Sequence, residues 1–446
     1  MTSQREQWNS RTGFVLATIG AAVGLGNIWR FSYVAGENGG GAFLVVYVLC
    51  VVLIGAPIVI AELAMGRAGG GDAVAAFEGP AAPRAWRYFG WIGVAGSTLI
   101  LSYYSVIAGW ALKYAVGGAT GVLWSTAAEG YGAYFAEFIS HTGEPLGWQL
   151  AMIGMTMFIV VGGVRQGIEA ANKILMPVLA AFVVGLAIYA ATLPGAGAGW
   201  RFLFIPDWSA LANRELYIAA MGQAFFSLGI GMAVFVTYAS YMSRDTKIPI
   251  SASAIILGDT LFAIVAGLAI FPAVFAFGMN PEAGPKLAFI TLPQIFLEMP
   301  GGRIMGAAFF ILLVAAALTS MVSLLEVPVA TLIHRAKLRR RGAVTIVGSV
   351  VFALGVPSAM SYGLLADVSI NGLGVLDFID RLASNYLLPL AGLSVCVFVG
   401  WIWNRQYAAN AADLNDGQWS GLWLWLLRIV APAAIVLILF DSTGAL

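Results

Sequence analysis

Apolar residues gather into eleven long blocks, at about 12–36, 41–67, 88–116, 148–163, 168–193, 216–243, 249–278, 303–333, 343–361, 373–402 and 421–441, parted by short polar stretches. Crossing ~30 Å of hydrocarbon takes about 20 residues of helix, with a spread of a few residues either way. Lipid offers the backbone no hydrogen-bonding partner, which selects helices over an open sheet. The blocks follow one another too closely to leave room for a soluble domain. The pattern predicts an all-α polytopic membrane protein with 11 transmembrane helices, folded as a single domain over 1–446. Among the connections, 128–140 and 205–216 read as helices over the outer face. The stretch 283–299 holds Pro285 and Pro293 and runs into Pro300, so it reads as a broken, re-entrant hairpin.

Composition agrees and removes other classes. Of 446 residues, 60% are hydrophobic and 10% charged, against roughly 25% charged in a soluble domain. Mean hydropathy is +0.87. With 23 basic and 22 acidic residues, there is no basic surface of the kind nucleic acid requires. Cys50 and Cys396 both sit in apolar runs and offer no extracellular disulfide framework. The start, Met1 to Arg11, is polar and lacks a short apolar core ending at a small-residue cleavage site. It is expected to stay uncleaved and cytoplasmic. With that orientation the inner segments carry fifteen basic residues, the Arg339–Arg341 cluster among them, and the outer segments five. This asymmetry follows the positive-inside rule and reads Arg339–Arg341 as a topology anchor. Eleven spans put the C-terminus outside a prokaryotic plasma membrane.

Two blocks carry glycines near their middle: Gly20-Ala21-Ala22-Val23-Gly24-Leu25-Gly26-Asn27 in the first, Phe226-Ser227-Leu228-Gly229-Ile230-Gly231-Met232 in the sixth. Glycine costs roughly 1 kcal/mol inside a helix. One such cluster is accounted for by close helix packing. Two clusters five spans apart are better explained by a 5+5 inverted repeat, about 12–193 and 216–402, with helices 1 and 6 discontinuous and an extra helix at 421–441. That layout places half-helix ends and free carbonyls at substrate and ion sites.

The run Gly24-Leu25-Gly26-Asn27-Ile28-Trp29-Arg30-Phe31, followed by Glu37-Asn38-Gly39-Gly40-Gly41-Ala42-Phe43, resembles the signature of neurotransmitter:sodium symporters. Gly222 to Leu228 and Tyr238-Ala239-Ser240-Tyr241 resemble the sixth helix of that family, and Leu318-Thr319-Ser320 its eighth. The length resembles the eleven-helix bacterial branch that includes hydrophobic amino acid transporters. The resemblance implies two sodium sites. The first is built from the Ala22 carbonyl, Asn27, Ser227, Asp259 and the substrate carboxylate. The second comprises the carbonyls of Gly20, Val23 and Ala316 with the hydroxyls of Thr319 and Ser320. Ala316, Thr319, Ser320 and Ser323 share one helix face by spacing. The family's chloride pocket would fall on Tyr47, Gln223, Ser227 and Asp259. Many relatives carry a neutral Asn where this chain has Asp259. A carboxylate inside the membrane is expensive and usually functional, which makes chloride-independent transport the expectation.

For the substrate, the resemblance implies that the amides of Leu25 and Gly26 and the hydroxyl of Tyr104 meet a carboxylate, as a half-helix N-terminus favours an anion. Carbonyls around Ala22, Phe226 and Ser227 would meet the ammonium group. Ile100, Phe226, Gly229, Ile230, Met232, Ser320 and Leu324 would line an apolar side-chain pocket. Gly24 stands where monoamine members have Asp, so the ligand is expected to bring its own carboxylate. Hydrophobic and aromatic L-amino acids fit. Another small zwitterion, or a substrate-sensing receptor of the same fold, is the alternative. At the outer gate Arg30 would pair with Asp377, with Tyr104 and Phe226 as the lid. At the inner gate Arg5 usually pairs with an acidic residue, but His334 stands in that position and is either incidental or pH-sensitive. The latch is then expected on Trp8, Tyr241 and Glu326. Glu62 would support the broken helices. No H-E-x-x-H or G-x-S-x-G is present, and the only histidines are His141 and His334. That pattern argues against an intramembrane enzyme.

Overall fold

The computed structural model describes residues 6–78, 82–125, 130–278, 288–415 and 417–443. Among these residues there is no strand, only an isolated bridge between Ile370 and Leu373. Among the described residues nine continuous helices are long and apolar enough to cross a membrane: Gly41–Gly69, Arg84–Thr120, Glu144–Val161, Val164–Ala191, Ile248–Ala276, Gly302–Arg335, Arg340–Ala359, Val375–Ile402 and Gln418–Ser442. Two more spans are broken. The first consists of Arg11–Ala22 and Gly26–Glu37, bent by 53°. The sixth consists of Arg214–Leu228 and Val234–Ala239, with 229–233 unwound between them. Together they make the eleven spans that the apolar blocks predict.

Each break has a local cause. In the first span Val23 turns to an extended conformation after Ala22, and the Asn27 side chain takes over the freed Gly24 amide at 3.0 Å. The helix then restarts as a π-helical turn, Gly26–Arg30. In the sixth, Gly229, Gly231 and Ala233 all have positive φ, at 66°, 81° and 55°. A Cβ on Gly231 would lie 2.4 Å from the Leu388 carbonyl oxygen, so no other residue fits. The Gly231 amide is held by Glu62 Oε1 at 2.9 Å, and the Ser97 hydroxyl donates to the Met232 carbonyl. Spans three and eight pack against each other along their length. The first half-helix lies against spans five, seven and eight.

The surface connections differ in part from the sequence expectation. Of 128–140, residues 128 and 129 lie outside the described residues and Tyr131–Ser140 is helical, but 205–216 is not one helix. A helix at Ala196–Phe204 ends at Ile205, which is extended before Pro206 because proline disfavours α-conformation in the residue before it. A short 3-10 turn, Trp208–Ala212, follows, and Asn213 caps the next span by accepting from the Glu215 amide. Of the expected hairpin at 283–299, residues 283–287 lie outside the described residues. The rest contains the helix Thr291–Glu298.

Candidate functional site

Where the two broken spans meet, Asn27, Ser227 and Asp259 are all essentially buried and mutually bonded. Asn27 Nδ2 donates to Asp259 Oδ1 at 2.6 Å and to Ser227 Oγ at 3.0 Å. Ser227 Oγ donates to Asp259 Oδ2 at 2.7 Å, and the Tyr47 hydroxyl donates to Ser227 Oγ at 3.4 Å. Among the described residues Asp259 has hydrogen bonds to both oxygens but no cationic partner. A buried carboxylate in that condition carries a large desolvation cost, which a cation would offset. The hydroxyls of Ser227 and Tyr47 add oxygens, the ligands a hard cation takes, whereas Asn27 presents its amide nitrogen. The carbonyl oxygen of Asn27 faces the Gly24 amide, so ligation through it requires the amide to turn over. Gln223, the fourth member of the implied chloride pocket, donates through Nε2 to the Gly26 carbonyl at 3.2 Å.

The residues expected at a second ion site are also adjacent. Thr319 Oγ1 lies 3.4 Å from the Val23 carbonyl and 2.8 Å from that of Ala316. Ser320 Oγ lies 3.4 Å from both the Ala21 and Val23 carbonyls. The bond to Ala316 is ordinary helix back-bonding. The contacts to Val23 cross between spans. Gly20, one turn earlier, is packed so tightly on Asn172 of the fifth span that a Cβ would fall 2.2 Å from Asn172 Oδ1.

A cavity of about 30 Å³ lies between these groups, lined by Ala22, Gly24, Gly26, Ile100, Tyr104, Phe226, Gly229, Met232, Ser320, Leu324 and Ala21. It has room for about one water, so a larger molecule must spread its apolar wall. The Leu25 amide donates to the Tyr104 hydroxyl at 3.1 Å. A Cβ on Gly24 would lie 2.5 Å from Ser320 Oγ and 3.0 Å from the Tyr104 hydroxyl, so a side chain there would occupy the site. Ile230 does not line this cavity. Its side chain packs at Gly55 and Gly392, between two glycines whose positive φ takes the chain out of helical geometry.

A second cavity, of about 530 Å³, opens beside it and is lined by Leu25, Trp29, Arg30, Tyr103, Tyr362, Asp377 and Asp380 among others. Gly26, Tyr104 and Phe226 line both cavities, so the two aromatic rings form the partition. Arg30 and Asp377 face this space without pairing. The Arg30 guanidinium lies 4.5 Å from the Phe226 ring centroid and donates to Gln223 Oε1 at 3.2 Å. It is thereby held to the sixth span, across the cavity from Asp377.

At the opposite end the chain closes on itself. Trp8 Nε1 donates to the Tyr238 carbonyl at 2.9 Å, and the Tyr241 hydroxyl donates to Glu326 Oε1 at 2.7 Å. Arg340 binds Glu326 through both terminal nitrogens at 2.8 Å and reaches Glu6 at 2.9 Å. Glu169 accepts from the Asn9 amide at 2.7 Å and from Ser10 Oγ at 3.1 Å. Arg340 and Glu6 are the parts sequence reasoning missed: Arg340 sits in the cluster read as a topology anchor, and Glu6 in no motif. Arg5 lies outside the described residues. His334 is not part of this latch. Its Nδ1 lies 2.8 Å from Asp72 Oδ2, and Arg335 reaches the same carboxylate at 3.1 Å. The cation of this latch among the described residues is Arg340, whereas His334, at the end of the eighth span, contacts Asp72 in the loop after the second span.

The model of the sodium:neurotransmitter symporter family matches residues 5–135 and 129–445. An uncharacterized sodium-dependent transporter YhdH of Bacillus subtilis is 39% identical over 99% of this chain and 98% of its own length. An uncharacterized sodium-dependent transporter of Haemophilus influenzae is 32% identical over 98% of each chain. The crystal structure of MhsT in complex with L-phenylalanine superposes with a TM-score of 0.92 at 50% identity, covering 98% of this chain and 100% of that one.

Proposed function

The chain belongs to the sodium:neurotransmitter symporter family, multi-pass membrane proteins that carry solutes with sodium and are not enzymes, and on that premise we propose that it imports hydrophobic and aromatic L-amino acids with two sodium ions, without chloride. The observation that carries this reading is the buried Asp259 carboxylate, hydrogen-bonded through Asn27 and Ser227 but lacking a cationic partner among the described residues, beside an apolar cavity at two helix breaks. Sodium balances Asp259 directly, so no chloride is needed to balance the sodium. The substrate carboxylate takes the Leu25 amide and the Tyr104 hydroxyl, and its side chain spreads Ile100, Phe226, Met232 and Leu324. The bound phenylalanine of MhsT supports that substrate class. The second sodium lies among Val23, Ala316, Thr319 and Ser320.

The larger cavity is the outer vestibule, and the Trp8–Glu326–Arg340 cluster is the closed inner gate, with the N-terminus cytoplasmic and the C-terminus outside. Alternating access rocks the broken spans against spans three and eight. Two sodium ions with a zwitterion move two charges, worth about 4.6 kcal/mol per 100 mV at ~2.3 per charge. The test is uptake of labelled phenylalanine, leucine and tryptophan into proteoliposomes. Uptake should require sodium and persist when gluconate replaces chloride. Loss in gluconate would remove the chloride claim, and faster uptake of aspartate or lysine would remove the substrate class.

A further inference from the structure

Spans ten and eleven leave a cleft of about 330 Å³ that the transport mechanism does not use, lined by Trp401, Arg405, Gly421, Leu424, Trp425, Arg428 and Ile429. Arg428 stands ten residues into the span Gln418–Ser442, about 15 Å along a helix rising 1.5 Å per residue. A charged side chain at such a place is rare and normally paired. Among the described residues Arg428 has no carboxylate partner. It donates through Nε to the Gly400 carbonyl and lies 5.8 Å from the Trp401 ring centroid.

The backbone is shaped around it. Both walls are π-helical here, Phe398–Ile402 and Leu426–Val430, and such turns are frequent at functional sites. A Cβ on Gly400 would come within 3.0 Å of Arg428 Cγ, and one on Gly421 within 3.6 Å of Arg405 Nη2. Both arginines therefore lie against glycines that leave the cleft its width. Helical side chains lean toward the helix N-terminus, which carries the Arg428 head back toward Arg405, at the level of the exposed indoles Trp401, Trp419 and Trp425. Indoles of this kind mark the membrane–water boundary.

We propose that this cleft binds the headgroup phosphate of an anionic phospholipid, with Arg428 as its counter-charge, Arg405 beside it and the acyl chains running along Leu424 and Ile429. Charge complementarity selects the occupant. The lining is cationic and apolar with no acidic member, and the anion present at that depth is a lipid phosphate. Basic pockets between spans on the cytoplasmic side take such headgroups. The cleft lies on that side under the topology proposed above, but the binding chemistry does not depend on it.

The experiment is thermal unfolding of the full chain in detergent, supplemented with phosphatidylglycerol, with phosphatidylcholine, or with inorganic phosphate. Phosphatidylglycerol should raise Tm by several degrees while the other two leave it unchanged. The R428Q variant should lose that shift, and R428K should keep most of it. G421L, which fills the cleft without changing charge, should also lose it. All three should retain sodium-dependent phenylalanine binding, because none touches that site. Equal shifts with both lipids, or an undiminished shift in G421L, would overturn the proposal. So would a full shift with inorganic phosphate, which would make the cleft a site for free anions. If R428Q fails to fold, G421L and R428K decide. If phenylalanine binding is absent in the wild type, the lipid result still stands by itself.

Discussion

At the residue scale, Asp259 makes the clearest demand on the chemistry. Both its oxygens accept hydrogen bonds, from Asn27 and Ser227, and neither bond supplies charge. An Asp259→Asn variant keeps the size of the side chain and removes its charge. We expect sodium-driven phenylalanine uptake in gluconate to fall at least tenfold, with chloride restoring part of it through the space beside Tyr47 and Ser227. Unchanged uptake in gluconate would show that the carboxylate is not the balancing charge. The cluster was legible because Asn27 and Ser227 fall in motifs and Asp259 is a carboxylate in an apolar span, and the structure brings their side chains together. Ile230 was placed in the pocket by resemblance, and a resemblance does not say which way a side chain turns in an unwound stretch whose flanking glycines have positive φ. Arg340 was missed because a basic residue at a helix start satisfies the topology rule, and a partner fourteen positions away, Glu326, lies beyond any local spacing.

At the element scale, what matters is that the breaks are held open. The glycine clusters announced both breaks, since a helix former would not place them in mid-span. What holds them was less visible. Gly231 has φ of 81° and a Cβ there would collide with the Leu388 backbone, while a Cβ on Gly229 would meet only Met232 Sδ, at 3.5 Å. The two positions should therefore respond differently. Gly231→Ala introduces both a strained φ, roughly 1–2 kcal/mol, and a backbone collision that side-chain movement cannot relieve. Gly229→Asn places a residue tolerant of that φ in a roomier position. We expect G231A to abolish sodium-dependent phenylalanine binding and to lower Tm by several degrees, and G229N to keep binding within about tenfold of wild type. Scintillation proximity binding with parallel thermal unfolding checks both, and equal loss in the two variants would contradict the argument. The 205–216 segment shows the limit of element reading. It reads as one surface helix in the sequence, but the Ile205-Pro206 step and the Asn213 cap divide it.

At the scale of the whole molecule, the two ends of the transport path are built on different physics, and this asymmetry sets the resting state. One end holds a wide cavity in which Arg30 and Asp377 stay apart. The other is tied by a bidentate ion pair whose carboxylate is fully buried: Glu326 with Arg340, 14% exposed at its side chain. Removing one partner of a buried pair leaves the other uncompensated, at about 3–5 kcal/mol. Transport conformers typically differ by a few kcal/mol, so that cost is enough to invert their populations. Arg340→Gln should therefore release the N-terminal segment and favour the state open at the Trp8 end. Hydrogen exchange of the amides between Asn9 and Phe14 should accelerate at least tenfold. Apparent phenylalanine affinity should fall in proportion to the population lost from the state open at the Arg30–Asp377 cavity, and higher sodium should recover part of it. His334→Asp serves as the control, because that ring rests on Asp72 and not on the latch. It should leave exchange at Asn9–Phe14 unchanged. If R340Q exchanges there at the wild-type rate, the ion pair does not hold the gate, and the closure rests on the Trp8–Tyr238 and Glu169 contacts alone.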